Sequence, residues 1–236
     1  YGYLDEEVEG SDEHPDQTEK CWIVDPLDGS AGVVRGLNTW AVGIALHEKK
    51  DVEKGNTGIT LGLIASPQYN NTEVLIGGKG LGCFDWAGKE VRVSQTTDPK
   101  EISLAVGSRD IRTRKRDEEE YIATLQLIGQ HVSRLYCGID TQHSGAWLAR
   151  GSIDLLARVV QPSYDIAPVV AVVQGAGGEV KDMKWGETVR FHPLVIQRDK
   201  ERRHNLLAWN GKQEVEDFFV GMMWKSGDLH RWRDEA

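Results

Sequence analysis

Trp22-Ile23-Val24-Asp25-Pro26-Leu27-Asp28-Gly29-Ser30 is the stretch on which the reading of this chain turns. Trp22 to Val24 reads as the apolar end of a buried strand. Asp25 follows, then Pro26, which fixes its own φ and removes a backbone donor. Asp28 comes three residues after Asp25, and Gly29-Ser30 lets the chain turn sharply. Two carboxylates so close on a strand exit suit a hard divalent cation, which takes oxygen ligands. Gly29 and Ser30 are placed to open a helix, where free N–H groups and the positive dipole end favour a phosphate. A metal site beside a phosphate site is the outline of metal-assisted phosphate chemistry. Taken alone, the stretch is equally compatible with an Asx turn, because Asp-Pro and Asp-Gly are common turn dipeptides.

The chain has 236 residues, enough for one large domain or two smaller lobes with a substantial core. Its formal net charge of -9 argues against binding a nucleic-acid polymer through a basic surface. Acidity does not exclude an anionic substrate, because bound cations reverse the local charge. No apolar run is long enough to span a bilayer, so no membrane partner is expected. The start lacks the basic and apolar regions of a signal peptide. Cys21, Cys83 and Cys137 are few, odd in number and widely spaced. They read as reduced thiols of an intracellular compartment, cytoplasmic or organellar, and not as a disulfide framework or a zinc site.

Glu6 and Glu7 sit near the start, before a polar stretch from Gly10 to Lys20. They read either as part of a solvated acidic loop or as a strand end that brings a further carboxylate to Asp25 and Asp28. Strands are predicted over 39–46, 59–66, 73–76, the end of 77–84, and 91–93, with a polar loop or insertion over 49–56. The glycines of 77–82 read as a plain turn, since no Gly-Lys-Ser/Thr follows. Strands joined by turns without helices argue for a mainly antiparallel first sheet. The second half alternates: strands at 102–107, 132–138, 155–160, 179–182 and 206–209, and helices at 118–131, 142–150, 165–176 and 213–224. That alternation points to an α/β lobe. The expected organisation is a first lobe over 1–100, a second over 101–212, and a C-terminal helix and tail over 213–236. Asp165, in Ser163-Tyr164-Asp165-Ile166-Ala167-Pro168, falls where a capping acid would fall. The other reading makes it a metal ligand on the rim of the second lobe.

Taken together these pieces are specific. A Glu-Glu near a strand end is followed by Asp-Pro-Leu-Asp-Gly-Ser, then by Tyr-Asp-Ile-Ala with Ala176-Gly177-Gly178 downstream. The order and spacing resemble the inositol monophosphatase-like superfamily of magnesium-dependent, lithium-sensitive phosphatases, over roughly residues 4 to 210. Within it, Gly32-Val33-Val34-Arg35-Gly36 resembles the Gly-Phe-Leu-Arg-Gly of 3′(2′),5′-bisphosphate nucleotidases. Asp140-Thr141-Gln142 resembles the Asp-Ser-Gln that opens a helix in the same enzymes. Ser108-Arg109 resembles a strand end of related bacterial members. Arg35 also reads as a plain surface residue, and Asp140-Thr141 as a helix cap.

The resemblance implies a layered αβαβα sandwich, α+β in the first lobe and α/β in the second, with the site between them. It implies that Glu6, Asp25, the Leu27 carbonyl, Asp28 and Asp165 bind two or three Mg²⁺. Ser30 would orient the attacking water, with Glu7 as a supporting carboxylate. Gly29, Ser30, Arg35, Ser108, Arg109, Asp140 and Thr141 would bind a small phosphorylated substrate. The implied reaction is removal of the 3′ phosphate of adenosine 3′,5′-bisphosphate or a related ester. The alternatives are an inositol or sugar phosphate phosphatase, or a non-catalytic, phosphatase-like subunit of a larger assembly. A homodimer is a further expectation. The chain also departs from the resemblance. The nucleotidases carry Lys where Ala31 and Ser144 stand, Tyr164 replaces Trp, and the resemblance implies a helical segment upstream of the Glu-Glu.

Overall fold

The computed structural model describes residues 2–7, 18–68, 71–107, 128–184, 190–192, 194–196, 198 and 203–225. The first sheet has the order β1 (Gly2–Asp5), β2 (Lys20–Asp28), β3 (Ala41–Glu48), β4 (Ile59–Gln68), β5 (Asn71–Gly78) and β6 (Gly82–Asp85). The β1–β2 pair is parallel and every other pair in this sheet is antiparallel, as expected for strands joined by short turns. The second sheet draws on β7 (Ser103–Val106), β8 (Arg134–Cys137), β9 (Leu155–Pro162), β10 (Glu179–Lys184), β11 (Arg190–His192) and β12 (Arg203–Trp209). Its order is β11-β10-β12-β9-β7-β8, with β7 parallel to both β8 and β9 and the other pairs antiparallel.

Two helices fill the space between the sheets. They are α3 (Thr141–Ala149) and α4 (Ser163–Gly175), following two short helices in the first half, α1 (Ser30–Val33) and α2 (Lys49–Glu53). In α4, Ile166, Ala167 and Val169 to Val173 are all fully buried. A helix that is apolar all round must be covered on every side. Here α4 packs on β2 to β6 of the first sheet and on β9, β10 and β12 of the second. Leu4, Ile23, Ala45, Ile64 and Leu75 of the first sheet share one core with these valines and with Leu156 and Leu206 of the second. The far face of the second sheet has its own core, where Val215, Phe219 and Met222 of α5 (Gln213–Lys225) cover Leu104, Leu155 and Leu207. The opposite face of the first sheet carries Tyr3, Ile76 and Phe84, each partly exposed.

One local feature of β2 decides the position of the site. Side chains on a strand alternate between faces, so residues three apart should point to opposite sides. Asp25 pairs with Gly43 and Asp28 with Ala41, so β2 uses one residue more than β3 over this interval. That extra residue is a β-bulge, and it returns Asp28 to the buried face beside Asp25. Pro26 has no N–H to give to a ladder, which suits it to a bulge. The strand therefore does not end at Val24, as the sequence suggested, but runs through Asp28. Gly29 then turns the chain at φ 90° into α1.

Other elements differ from expectation in smaller ways. Residues 91–93 form no strand, although Val91 N–H donates to the Cys83 carbonyl and Val93 N–H to that of Ala176. The polar segment after residue 48 winds into α2, and β11 has no counterpart in the sequence reading. Of the helix expected over 118–131, residues 128–131 are helical. The remainder of that helix, the polar stretch over 10–17, and the tail from 226 lie outside the described residues. Cys21 and Cys83 are free and buried, and Cys137 is free and exposed. Among the described residues, no helix is long and apolar enough to cross a membrane.

Candidate metal centre

The bulge of β2 and the first turn of α4 bring three acids together. Carboxylate oxygens of Asp25, Asp28 and Asp165 all lie within 4.8 Å of one another. Asp165 sits in the first turn of α4, whose N-cap is Pro162, so it is not the capping residue. Glu6, directly after β1, hydrogen-bonds to the Asp25 carboxyl, which brings a fourth acid to the group. Glu7 is exposed, and its backbone N–H donates to Asp5 Oδ1 at 2.8 Å. The structure thus places Glu6, not Glu7, against the trio.

Burial of so many like charges raises their proton affinity. Burial pushes the Asp25 carboxyl up to about 10, and the charges of Asp28, Asp165 and Glu6 add to the effect. Burial likewise pushes Asp28 up, to about 7, against the lowering effect of the Gln142 backbone N–H and the Arg158 charge. Buried acids that repel one another in this way are stabilised by a cation held among them, and their all-oxygen donor set suits a hard divalent ion. The residues present therefore fit a metal.

The trio is braced from the first sheet and from α3. Asp25 Oδ1 accepts the Leu27 N–H at 3.0 Å, and Asp25 Oδ2 accepts Gln142 Nε2 at 2.6 Å. Asp28 Oδ2 accepts the Gln142 backbone N–H at 2.6 Å. Asp140 stands at the N-cap of α3, but its side chain makes no capping bond. Instead Asp140 Oδ2 accepts the Thr39 hydroxyl at 3.3 Å and faces Gly29, where a β-carbon would lie 2.6 Å from it. Gly29 is therefore required twice, by its φ and by this close approach. Ser30 is exposed at the start of α1, next to the trio in sequence. Arg35 is exposed and donates to the Ala31 carbonyl at 2.8 Å. The Thr141 hydroxyl is committed to Gln161 Oε1 at 2.8 Å, inside the core. Ser108 and Arg109 lie outside the described residues.

Sequence reasoning missed Arg158. It is 1% exposed on β9, and its guanidinium donates to the Ile139 carbonyl at 2.5 Å and to Ser144 Oγ at 2.8 Å. It thereby fixes the segment that carries Asp140 into α3. The available signal was one charged residue in the apolar run Leu155 to Val160, which strand periodicity alone does not explain. Arg158→Met is expected to destabilise the protein by about 1–3 kcal/mol, because the Ile139 carbonyl and Ser144 lose a buried donor. Urea unfolding measures this, and an unchanged midpoint would show that the donor is dispensable.

A profile of the inositol monophosphatase family matches residues 3–214. The chain is 29% identical over 213 residues to an inositol-1-monophosphatase of Caulobacter vibrioides, covering 84% of this chain and 77% of the relative. It is 26% identical over 196 residues to a fructose-1,6-bisphosphatase/inositol-1-monophosphatase of Thermotoga maritima, covering 82% and 69%. A histidinol-phosphatase of Chlorobaculum parvum is 26% identical over 212 residues, covering 86% and 73%. The solved structure of a Thermotoga maritima inositol monophosphatase superposes with a TM-score of 0.71 at 21% identity, over 96% of this chain and 75% of that one. The inositol monophosphatase structure from Anabaena gives 0.70 at 20% identity, over 94% and 78%. With the two-sheet fold and the acid trio already in place, the profile match settles the kinship: the chain belongs to the inositol monophosphatase family of phosphoric monoester hydrolases.

Proposed function

We propose that this protein is a Mg²⁺-dependent phosphomonoesterase acting on a small phosphate ester, with adenosine 3′,5′-bisphosphate as the first candidate. The observation that carries the reading is the buried Asp25, Asp28 and Asp165 trio, with oxygens within 4.8 Å on two separate elements and Glu6 alongside. Glu6, Asp25, Asp28, Asp165 and the Leu27 carbonyl would hold two or three Mg²⁺. Bound there, the ions supply an activated water and charge stabilisation at the leaving oxygen.

The chain's own groups do the remainder. Gly29 and Ser30 direct backbone N–H groups at the start of α1 toward the phosphate. Ser30 Oγ orients the attacking water, and Asp140, against Gly29, borders the substrate. Glu7 is the candidate supporting carboxylate, and Arg35, exposed on the segment after α1, is the candidate for a second anionic group of the substrate. Thr141, whose hydroxyl is held by Gln161, and Ser108 with Arg109 stay substrate-binding candidates.

Two short stretches support the nucleotidase branch, Gly32 to Gly36 and Asp140-Thr141-Gln142. The second reading is an inositol or sugar phosphate phosphatase, favoured by relatives named for inositol and fructose phosphates. Phosphate release from adenosine 3′,5′-bisphosphate, inositol 1-phosphate and fructose 1,6-bisphosphate, each with Mg²⁺, separates them. Higher kcat/KM for the nucleotide selects the first reading. A preference for either of the others selects the second.

A further inference from the structure

Gln142 is the second residue of α3 and is completely buried. Its backbone N–H reaches Asp28 Oδ2 and its side-chain Nε2 reaches Asp25 Oδ2, both at 2.6 Å. Nε2 also lies 3.4 Å from the Tyr164 carbonyl. That carbonyl is the one that Pro168, four residues on inside α4, cannot bond, because proline has no N–H. Tyr164 immediately precedes Asp165. One residue of the middle layer therefore bonds two members of the acid trio and the peptide that carries the third.

The space around Gln142 is matched to it. Gly43 faces it from β3, where a β-carbon would lie 2.0 Å from Gln142 Oε1. Oε1 itself is buried and has no hydrogen-bond partner among the described residues. A buried, unsatisfied acceptor costs about 1–3 kcal/mol. A leucine would fill nearly the same volume without that cost, so packing does not account for an amide here. Orientation of the carboxylates does. A carboxylate has about four lone-pair directions. Asp25 uses one for Leu27, one for Gln142 and one toward Glu6, which fixes how the carboxylate is turned within the acid group.

We infer that Gln142 is a positioning residue of the metal site, holding Asp25 and the start of α4 so that the carboxylates of the trio stay turned toward one another around one cation-sized volume. The inference rests on the metal-dependent reading above. Groups that hold a ligand from behind typically change metal affinity or activity by about 10–100-fold when removed. Gln142→Leu and Gln142→Asn both keep the backbone bond to Asp28 and lose the side-chain bond to Asp25, since Asn is one methylene too short.

The test is calorimetric titration of Mg²⁺ into the full chain and both variants, with melting in EDTA and steady-state kinetics alongside. Both variants are expected to bind Mg²⁺ about 10–100-fold more weakly. The Mg²⁺ concentration for half-maximal activity should rise by the same factor, while KM for the phosphate ester at saturating Mg²⁺ stays within about twofold, because Gln142 is too buried to touch substrate. The melting temperature in EDTA should stay near that of the parent, which separates lost affinity from lost fold. If the Leu variant fails to fold, the Asn variant decides. Parent-like Mg²⁺ affinity in a folded variant overturns the inference and leaves the metal-dependent reading standing. A parent chain that binds no Mg²⁺ overturns both.

Discussion

Asp28→Asn is expected to reduce Mg²⁺-dependent phosphate release on the order of 10³-fold while the protein stays folded. A metal ion stabilises developing charge by several kcal/mol, and ~4 kcal/mol corresponds to about 10³ in rate. Asp28 is buried within the trio, so its replacement by a neutral amide removes one carboxylate from the proposed metal site. The fold has little reason to suffer. Asn is isosteric, its side-chain oxygen still accepts the Gln142 backbone N–H, and one repulsive charge leaves a crowded site. Circular dichroism and a phosphate-release assay on the same preparation measure both halves. Normal turnover in Asp28→Asn would show that the trio is not the working metal site.

The second large effect is on the pH dependence of stability. With no metal bound, the folded Asp25 carboxyl is raised from 3.8 to about 10. Between those values the folded state holds a proton that the unfolded chain has released, so stability falls as pH rises. Asp28, raised to about 7, adds to the fall at lower pH. His143 acts in the opposite sense, since burial holds its imidazole below the ordinary 6.5, but its contribution is complete by about that pH. Between pH 7.5 and 9.5 the fall therefore combines Asp25 with Cys83 and Cys137, whose thiols burial holds above the ordinary 9.0. In EDTA the melting temperature is expected to drop across this window, and in Asp25→Asn the drop should shrink to the part that the thiols contribute. Saturating Mg²⁺ should reduce it by the same amount in the parent, because the acids are ionised when the ion is bound. Mg²⁺ binding at pH 7.5 should also release protons, read as a buffer-dependent enthalpy. A melting temperature that is flat in EDTA, with no proton release, would contradict this account of the site.

Much of the candidate site was legible in the chain because its acids sit at positions with strong local signals. Asp25-Pro26-Leu27-Asp28 announces a break in a strand, and Asp165 stands in the first turn of an apolar helix. The sequence could not say how two acids three residues apart on a strand reach the same face. The answer is the bulge, which depends on how β2 registers against β3 and so on a partner strand beyond the motif. Asp140 and Thr141 likewise read as a cap or as substrate contacts. Their actual partners, Thr39 with Gly29 and Gln161, are remote in sequence. Arg158 and Gln142 went unassigned for a related reason. Each acts through backbone or carboxylate groups that only the packing of the two sheets brings within reach.

The same limit applies to the layers. Alternating strands gave the mainly antiparallel first sheet, and the apolar character of α4 marked it as buried. That both sheets share α4 as a common core follows from valines pointing in every direction, a pattern that only a two-sided cover satisfies. Residues 91–93 show the reverse case. Their alternation reads as a strand, yet their N–H groups are spent on Cys83 and on Ala176 at the end of α4, which leaves no ladder.

The most direct test of the central claim is phosphate release from adenosine 3′,5′-bisphosphate and inositol 1-phosphate by the parent chain and Asp25→Asn, each with Mg²⁺ and with EDTA. The account predicts release by the parent in Mg²⁺ alone, lost in EDTA and in the variant. Release that persists in EDTA or in Asp25→Asn, or a parent that neither releases phosphate nor binds Mg²⁺, would contradict it, and the last result would favour a non-catalytic member of the family.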